Sequence, residues 1–236
     1  MGHTTRSVGA PTGPGIMGRM STAQEPSTEF DDVRVTRAAY DEMAEIYAEH
    51  AANIMARKPF DRAMLDVFAE ATPAGPVVEI GCGPGRIAAY LADRGLDISG
   101  IDLSPRMIEL ARAAYPALRF EVGSMEELTF ADASLTGLVA WYSVIHLPPQ
   151  RVPAVLTEFH RVLQVGGQLL IAGFADEIPD AAEPFDHRVA TAYRWSPERL
   201  ADEVAKAGFT VGARLVRVAD PDERFLHMYL MASKDR

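Results

Sequence analysis

Three glycines at alternate positions, Gly81, Gly83 and Gly85, follow the β-rich run Val77-Val78-Glu79-Ile80 and precede a helical pattern that opens at Arg86. Glycine is needed where a chain turns with positive φ, or where a ligand approaches the backbone with no Cβ in the way. Asp102 ends the next β-rich run, 21 positions after Gly81. An acid at about that distance grips ribose hydroxyls in nucleotide-binding α/β folds, because its two carboxylate oxygens accept both hydroxyl protons. The dinucleotide fingerprint Gly-x-Gly-x-x-Gly would put its third glycine where Arg86 stands, which weighs against a nicotinamide cofactor. A purely structural glycine turn is the alternative reading.

A second group of residues has the chemistry to meet an acceptor. His146 lies in Trp141-Tyr142-Ser143-Val144-Ile145-His146-Leu147-Pro148-Pro149, just after a β-rich run. An imidazole titrates near neutral pH, so His146 either removes a proton or orients its loop. Tyr40 and Tyr47 are seven residues apart and share a helix face, as core packing or as a lid. The stretch from Asp176 to Trp195 exceeds the usual connection of about two to six residues, and it carries Phe185, His187, Arg188, Tyr193 and Trp195. Cys82 reads as a small packing residue, His160 and Arg161 as surface or packing, and His227 as structural.

The elements that must position these residues follow from periodicity. Residues 1–28 are rich in Gly, Ser, Thr and Pro and read as a flexible tail. Residues 29–71 are helical, with Pro59 in the first turn of a second helix, and read as an N-terminal helical lid. Residues 72–236 form the main domain. Strands are expected at Val77–Ile80, Ile98–Leu103, Leu118–Val122, Leu135–Tyr142 and Gln168–Phe174. Helices are expected at Arg86–Arg94, Pro105–Tyr115, Pro149–Leu163 and from Pro197 toward Gly208. Ser104 and Ser196 serve as N-caps. Val211–Val218 and Phe225–Met231 close the chain as an antiparallel pair. The alternation implies an α/β fold, a doubly wound and mostly parallel sheet with ligands at the carboxyl ends of its strands.

Composition narrows the partners. The 236 residues hold 23 Lys+Arg against 33 Asp+Glu, a formal net charge of −10. With no tract of clustered Lys/Arg, a nucleic acid or an acidic membrane is not an expected partner. A single cysteine allows no intrachain disulfide and no Cys-ligated cluster, so no metal is expected. No apolar run approaches a membrane span, and no signal peptide is legible, so a cytoplasmic protein is expected. Oligomeric state is not legible.

The pattern Glu79-x-Gly81-x-Gly83-x-Gly85 with Asp102 downstream resembles the class I S-adenosylmethionine-dependent methyltransferases, over roughly Tyr40 to Lys234. The resemblance implies a Rossmann-like, seven-stranded sheet whose last strand is antiparallel, and S-adenosylmethionine as cofactor. It implies that Gly81, Cys82 and Gly83 line the methionine portion of the cofactor, with Glu79 and Gly85 also among the cofactor-binding residues. Asp102 would hold the ribose, Leu103 and Met107 would flank the adenine, and Gly123, Ser124 and Met125 would meet its edge. Trp141 would lie near the sulfonium, with Tyr40 closing over it. Many relatives carry an acid where Ser124 stands; serine brings no charge, which leaves the adenine contact to the Met125 backbone.

The Asp/Asn-Pro-Pro-Tyr/Phe pattern of amino-group methylases is absent from the fourth strand, and so is an Asp-Asn metal pair. A small organic acceptor is the residual class, held by Tyr47, Tyr142, His146, His187 and Tyr193, with His146 as general base. The alternatives are a non-catalytic or repurposed S-adenosylmethionine-binding protein and, further off, a nicotinamide-dependent oxidoreductase.

Overall fold

The computed structural model describes residues 1–3, 30–51 and 54–235. The tail expected over residues 1–28 thus lies outside the described residues, apart from its first three. The chain opens with α1 (Asp31–Ala51), α2 (Ile54–Arg57) and α3 (Pro59–Ala71). It continues through β1 (Pro76–Ile80), α4 (Arg86–Ala92), β2 (Asp97–Asp102), α5 (Pro105–Ala114) and β3 (Arg119–Val122). Then come β4 (Leu135–Trp141), α6 (Val152–Val162), β5 (Leu163–Ala175), β6 (Ala182–Asp186) and β7 (Thr191–Trp195). The chain closes with α7 (Pro197–Lys206), β8 (Phe209–Arg217) and β9 (Leu226–Lys234). No helix among the described residues is long and apolar enough to cross a membrane.

Strands β3-β2-β1-β4-β5 are parallel, β9 is antiparallel to β5, and β8 is antiparallel to β9. These seven match the expected doubly wound sheet with its antiparallel last strand. The described residues hold nine strands, however. The connector after β5 is an antiparallel hairpin of β6 and β7, joined to β5 at the pair Ala175 and Trp195.

Both faces of the sheet are covered, so its central strands read as continuous apolar runs rather than alternating ones. Every residue of β4 is buried. Leu138 and Ala140 face Leu156 and Phe159 of α6, while Val139 and Trp141 belong to the opposite layer with Leu65, Phe68, Ile87 and Ile108. The expected lid segment therefore divides. Helix α3 buries Leu65 and Phe68 completely and belongs to the body. Among the described side chains of α1, Ala44 alone is buried in the core.

Local chemistry accounts for the helix starts. Ser104 Oγ accepts from Met107 N at 3.1 Å, and Ser196 Oγ accepts from Arg199 N at 3.3 Å. Two element starts differ from expectation by three residues or more. Helix α6 begins at Val152, because Arg151 N closes a turn on the Pro148 carbonyl at 2.9 Å. Strand β5 begins at Leu163, which pairs with Leu135 ahead of an irregularity in the register.

Candidate active site

The turn after β1 is built by glycines with positive φ: +71° at Gly81, +52° at Gly83 and +82° at Gly85. They serve different ends. A Cβ on Gly81 would lie 2.3 Å from Ser143 Cβ, so the turn sits tight against the end of β4. A Cβ on Gly83 would meet only Tyr47 Cε1, at 3.8 Å, so this backbone faces open space. A Cβ on Gly85 would strike the Phe120 ring at 2.7 Å. Gly81 and Gly83 line a cleft, whereas Gly85 and the buried Cys82 pack behind the turn. Glu79 is also buried behind it, accepting from Ala88 N at 2.8 Å and tying the turn to α4. Burial pushes its carboxyl up to about 8, against the pull of Arg86.

Asp102 ends β2 at the cleft. One carboxylate oxygen accepts from Gly83 N at 2.7 Å and the other from Ser104 N at 2.8 Å. Burial raises its pKa to about 6 in spite of these amides. The cleft holds about 820 Å³, its open mouth included. Leu103, Met107, Gly123, Ser124, Met125, Trp141, Tyr142 and His146 also line it from the sheet side. Helix α1 supplies the facing wall through Asp32, Val33, Thr36, Tyr40 and Tyr47.

His146 joins three segments. Its Nδ1 is 2.9 Å from the Thr191 carbonyl, which can only accept, so Nδ1 carries the proton. Its Nε2 is then the acceptor for the Tyr40 hydroxyl, at 2.7 Å. Burial lowers the pKa of this imidazole, favouring its neutral form.

Residues 77–167 match the family model described as a methyltransferase domain. The heart of the sheet, from β1 into β5, is thus similar to a methyltransferase domain. The chain is 29% identical to malonyl-(acyl-carrier protein) O-methyltransferase from Pseudescherichia vulneris, over 73% of its own length and 68% of the relative's. It is 31% identical to demethylmenaquinone methyltransferase from Chlorobaculum parvum, over 58% of this chain and 55% of that one. The chain thus spans about two thirds of the first relative and little more than half of the second. The fold is similar to that of 1,6-didemethyltoxoflavin-N1-methyltransferase from Burkholderia thailandensis, solved with S-adenosylhomocysteine, with a TM-score of 0.63 at 20% identity. That likeness covers 84% of this chain and 88% of the other.

Around this cleft the expected residues do not all meet. Glu79, Cys82 and Gly85, expected at the cofactor, do not line the cleft, because their bulk or missing Cβ is spent on packing under the turn. Of the expected acceptor residues, Tyr47, Tyr142 and His146 reach the cleft. His187 does not; its ring stands edge-on behind His146, centroids 5.4 Å apart. Tyr193 does not either, because β7 pairs it with Pro184 of β6 and it packs against the core.

Other cleft residues carry no motif. Ser143 lies under Gly81, and its Oγ and the Trp141 indole nitrogen are buried without hydrogen-bond partners among the described residues. Asp32, Val33 and Thr36 continue the Tyr40 face of α1, a four-residue spacing visible in the sequence once the helix start is known. Arg151 bridges Asp32 of α1 and Glu126, the latter at 2.9 Å, beneath the Phe30 ring. Further along α1, Asp41 accepts from Ser104 Oγ and from Arg106 N at 3.2 Å, and Glu45 pairs with Arg106. Polar contacts therefore do most of the work of holding α1 over the cleft.

Proposed function

We propose that this chain transfers a methyl group from S-adenosylmethionine to a small organic acceptor. The observation that carries the reading is the pairing of Gly83, whose missing Cβ opens onto the cleft, with the Asp102 carboxylate fixed 2.7 Å from its amide. Each Asp102 oxygen spends one lone pair on an amide and keeps another for a ribose hydroxyl. Gly81 and Gly83 give the methionine portion of the donor a wall without side chains, with Tyr47 over it. Leu103 and Met107 flank the adenine, and Gly123, Ser124 and Met125 lie along its edge. The unpartnered Ser143 hydroxyl and Trp141 indole supply further polar groups at the end of β4. In this reading α1 is the lid, with Tyr40 closing over the reacting end, while α2 and α3 belong with the body.

When bound, the donor supplies a methyl group made electrophilic by its sulfonium. The chain's own residues bind, orient and exclude water. Holding two reactants in line is worth about 7–11 kcal/mol of barrier in well-oriented reactions. His146 adds a neutral proton acceptor at Nε2, ready for an acceptor group that must lose a proton. The relatives reported above are named for methylating small or carrier-bound organic molecules, which supports the same acceptor class here. Calorimetric titration with S-adenosylmethionine tests the reading. The wild type should bind it, and Asp102→Ala and Gly83→Val should each bind it much more weakly. Unchanged affinity in a folded Asp102→Ala chain would overturn the ribose assignment.

A further inference from the structure

Resting on that methyltransferase reading, we infer that the acceptor is an uncharged aromatic molecule methylated on a hydroxyl oxygen, whose proton leaves through Tyr40 to His146. Three independent observations lead there.

The first is the hydrogen-bond chain itself. The Thr191 carbonyl on β7 fixes the proton of His146 on Nδ1, and the Tyr40 hydroxyl on α1 donates to Nε2. The chain runs from the hairpin through the loop after β4 to the lid, and its last oxygen is at the cleft wall. A hydroxyl acceptor that donates to the Tyr40 oxygen completes it. Tyr40 passes its own proton to Nε2 as the new one arrives. A carboxylate acceptor has no proton to give.

The second observation is the charge of the walls. Among the described residues lining the cleft, the cation is Arg151, and it is already bridged between Asp32 and Glu126. His146 meets a carbonyl, a hydroxyl and the His187 ring, with no carboxylate among these partners. Nothing on these walls compensates a buried acceptor carboxylate or phosphate, and such a charge is costly to bury without a partner.

The third is shape. Around the chain's free end the walls are rings set edge to face. Tyr40 lies 5.9 Å from Tyr47 and 5.4 Å from His146, and Trp141 lies 5.9 Å from Tyr142. Aromatic rings pack favourably in such T-shaped sets, so a planar aromatic acceptor extends an arrangement already present.

The transfer then balances. The acceptor oxygen gains the methyl group as the carbon–sulfur bond breaks, a neutral thioether departs, and the hydroxyl proton ends on His146 Nε2. The positive charge lost at sulfur reappears on the imidazole, which later returns its proton to water. The net charge of the closed cleft stays constant throughout.

Three probes with one ring and different heads test the inference: 1-naphthol, 1-naphthylamine and 1-naphthoic acid. Each is titrated, by its own fluorescence, into the full chain saturated with S-adenosylhomocysteine. Naphthol should bind roughly tenfold more tightly than naphthoate, the worth of about one hydrogen bond, and measurably more tightly than naphthylamine, whose N–H is the weaker donor. Tyr40→Phe and His146→Gln should each remove that preference while melting temperature stays near the parent's, and His146→Gln should also keep calorimetric affinity for S-adenosylmethionine near the parent's. With naphthol as acceptor, His146→Gln should also cut turnover about 10²–10⁴-fold and erase its acid limb. Naphthoic acid or naphthylamine binding as tightly as naphthol, or a naphthol preference that survives both substitutions, overturns the inference. Absence of S-adenosylmethionine binding to the wild type would instead overturn the methyltransferase reading, and this inference with it.

Discussion

Replacing Asp102 by Asn should make the ligand-free protein more stable at alkaline pH while weakening its hold on the donor. The Asp102 carboxyl rises from the ordinary 3.8 to about 6, chiefly through burial. A carboxyl whose folded pKa lies above its unfolded one favours folding fully only below about pH 3.8, and that contribution is lost as the pH climbs through about 6. The rise amounts to a penalty of roughly 3 kcal/mol at pH 8, of which about 2–3 kcal/mol accrues above pH 4. Asn carries no charge and keeps one oxygen for either the Gly83 or the Ser104 amide, so the penalty disappears. Urea unfolding of parent and variant at pH 4, 6 and 8 measures this directly. Groups common to both chains largely cancel in the difference, and relief of the Asp102–Glu79 repulsion adds to it with the same sign. The stability difference should move toward the variant by about 2–3 kcal/mol between pH 4 and 8. Calorimetry on the same variant should show donor affinity reduced at least roughly tenfold, the loss of one or more charge-assisted hydrogen bonds. A stability difference that is flat with pH would refute the burial argument, and full donor affinity would refute the ribose assignment.

Glu79→Gln should likewise raise the melting temperature at pH 8 more than at pH 4. Its carboxyl lies at about 8 instead of 4.5, so its contribution to stability is lost across that interval, and glutamine still accepts from the Ala88 amide; equal gains at both pH values would contradict this. Gly81→Ala should cost about 2–5 kcal/mol, from a left-handed alanine plus overpacking, because its Cβ would fall 2.3 Å from Ser143 Cβ. Adding Ser143→Gly should recover the packing part in chemical denaturation and leave the backbone part; no recovery would show that the contact is not the cause. Arg151→Met should release the first turn of α1, speeding amide hydrogen exchange over residues 31–40 roughly fivefold with little change in melting temperature. Unaltered exchange there would mean that the bridge to Asp32 and Glu126 does not hold the lid.

The parts of the site that were legible are those where backbone geometry demands a residue type. Gly81 and Gly83 turn with positive φ beside a cleft, and Asp102 closes a strand that must end there. The caps Ser104 and Ser196 are legible for the same reason. A one-dimensional pattern does not tell which side of a turn a side chain takes, so Glu79, Cys82 and Gly85 looked equivalent to the residues in front of them. The hairpin escaped notice because β6 is a short edge strand with Pro184 inside it, and no glycine marks the turn between Asp186 and Thr191. Tyr40 and Tyr47 announced their shared face through spacing. The bridge from Asp32 to Arg151 spans 119 positions and leaves no local trace.

The hairpin's attachment has an evolutionary consequence. Its two ends meet: Ala175 pairs with Trp195, and the Asp176 amide donates to the Trp195 carbonyl at 2.9 Å. A segment whose ends are already neighbours is a cassette, and changing its length alters the closure cost only logarithmically. Helix α7 is tied to the backbone of the cassette, with Ser196 N donating to the Ala181 carbonyl at 2.9 Å and Arg199 donating to the Asp180 carbonyl at 2.7 Å. The cassette also delivers the Thr191 carbonyl that sets the tautomer of His146, and it brings His187 behind that ring. Under the proposed function, exchange of residues 177–194 would therefore retune which acceptor is taken as a single heritable event, apart from the Gly81, Gly83 and Asp102 side of the cleft.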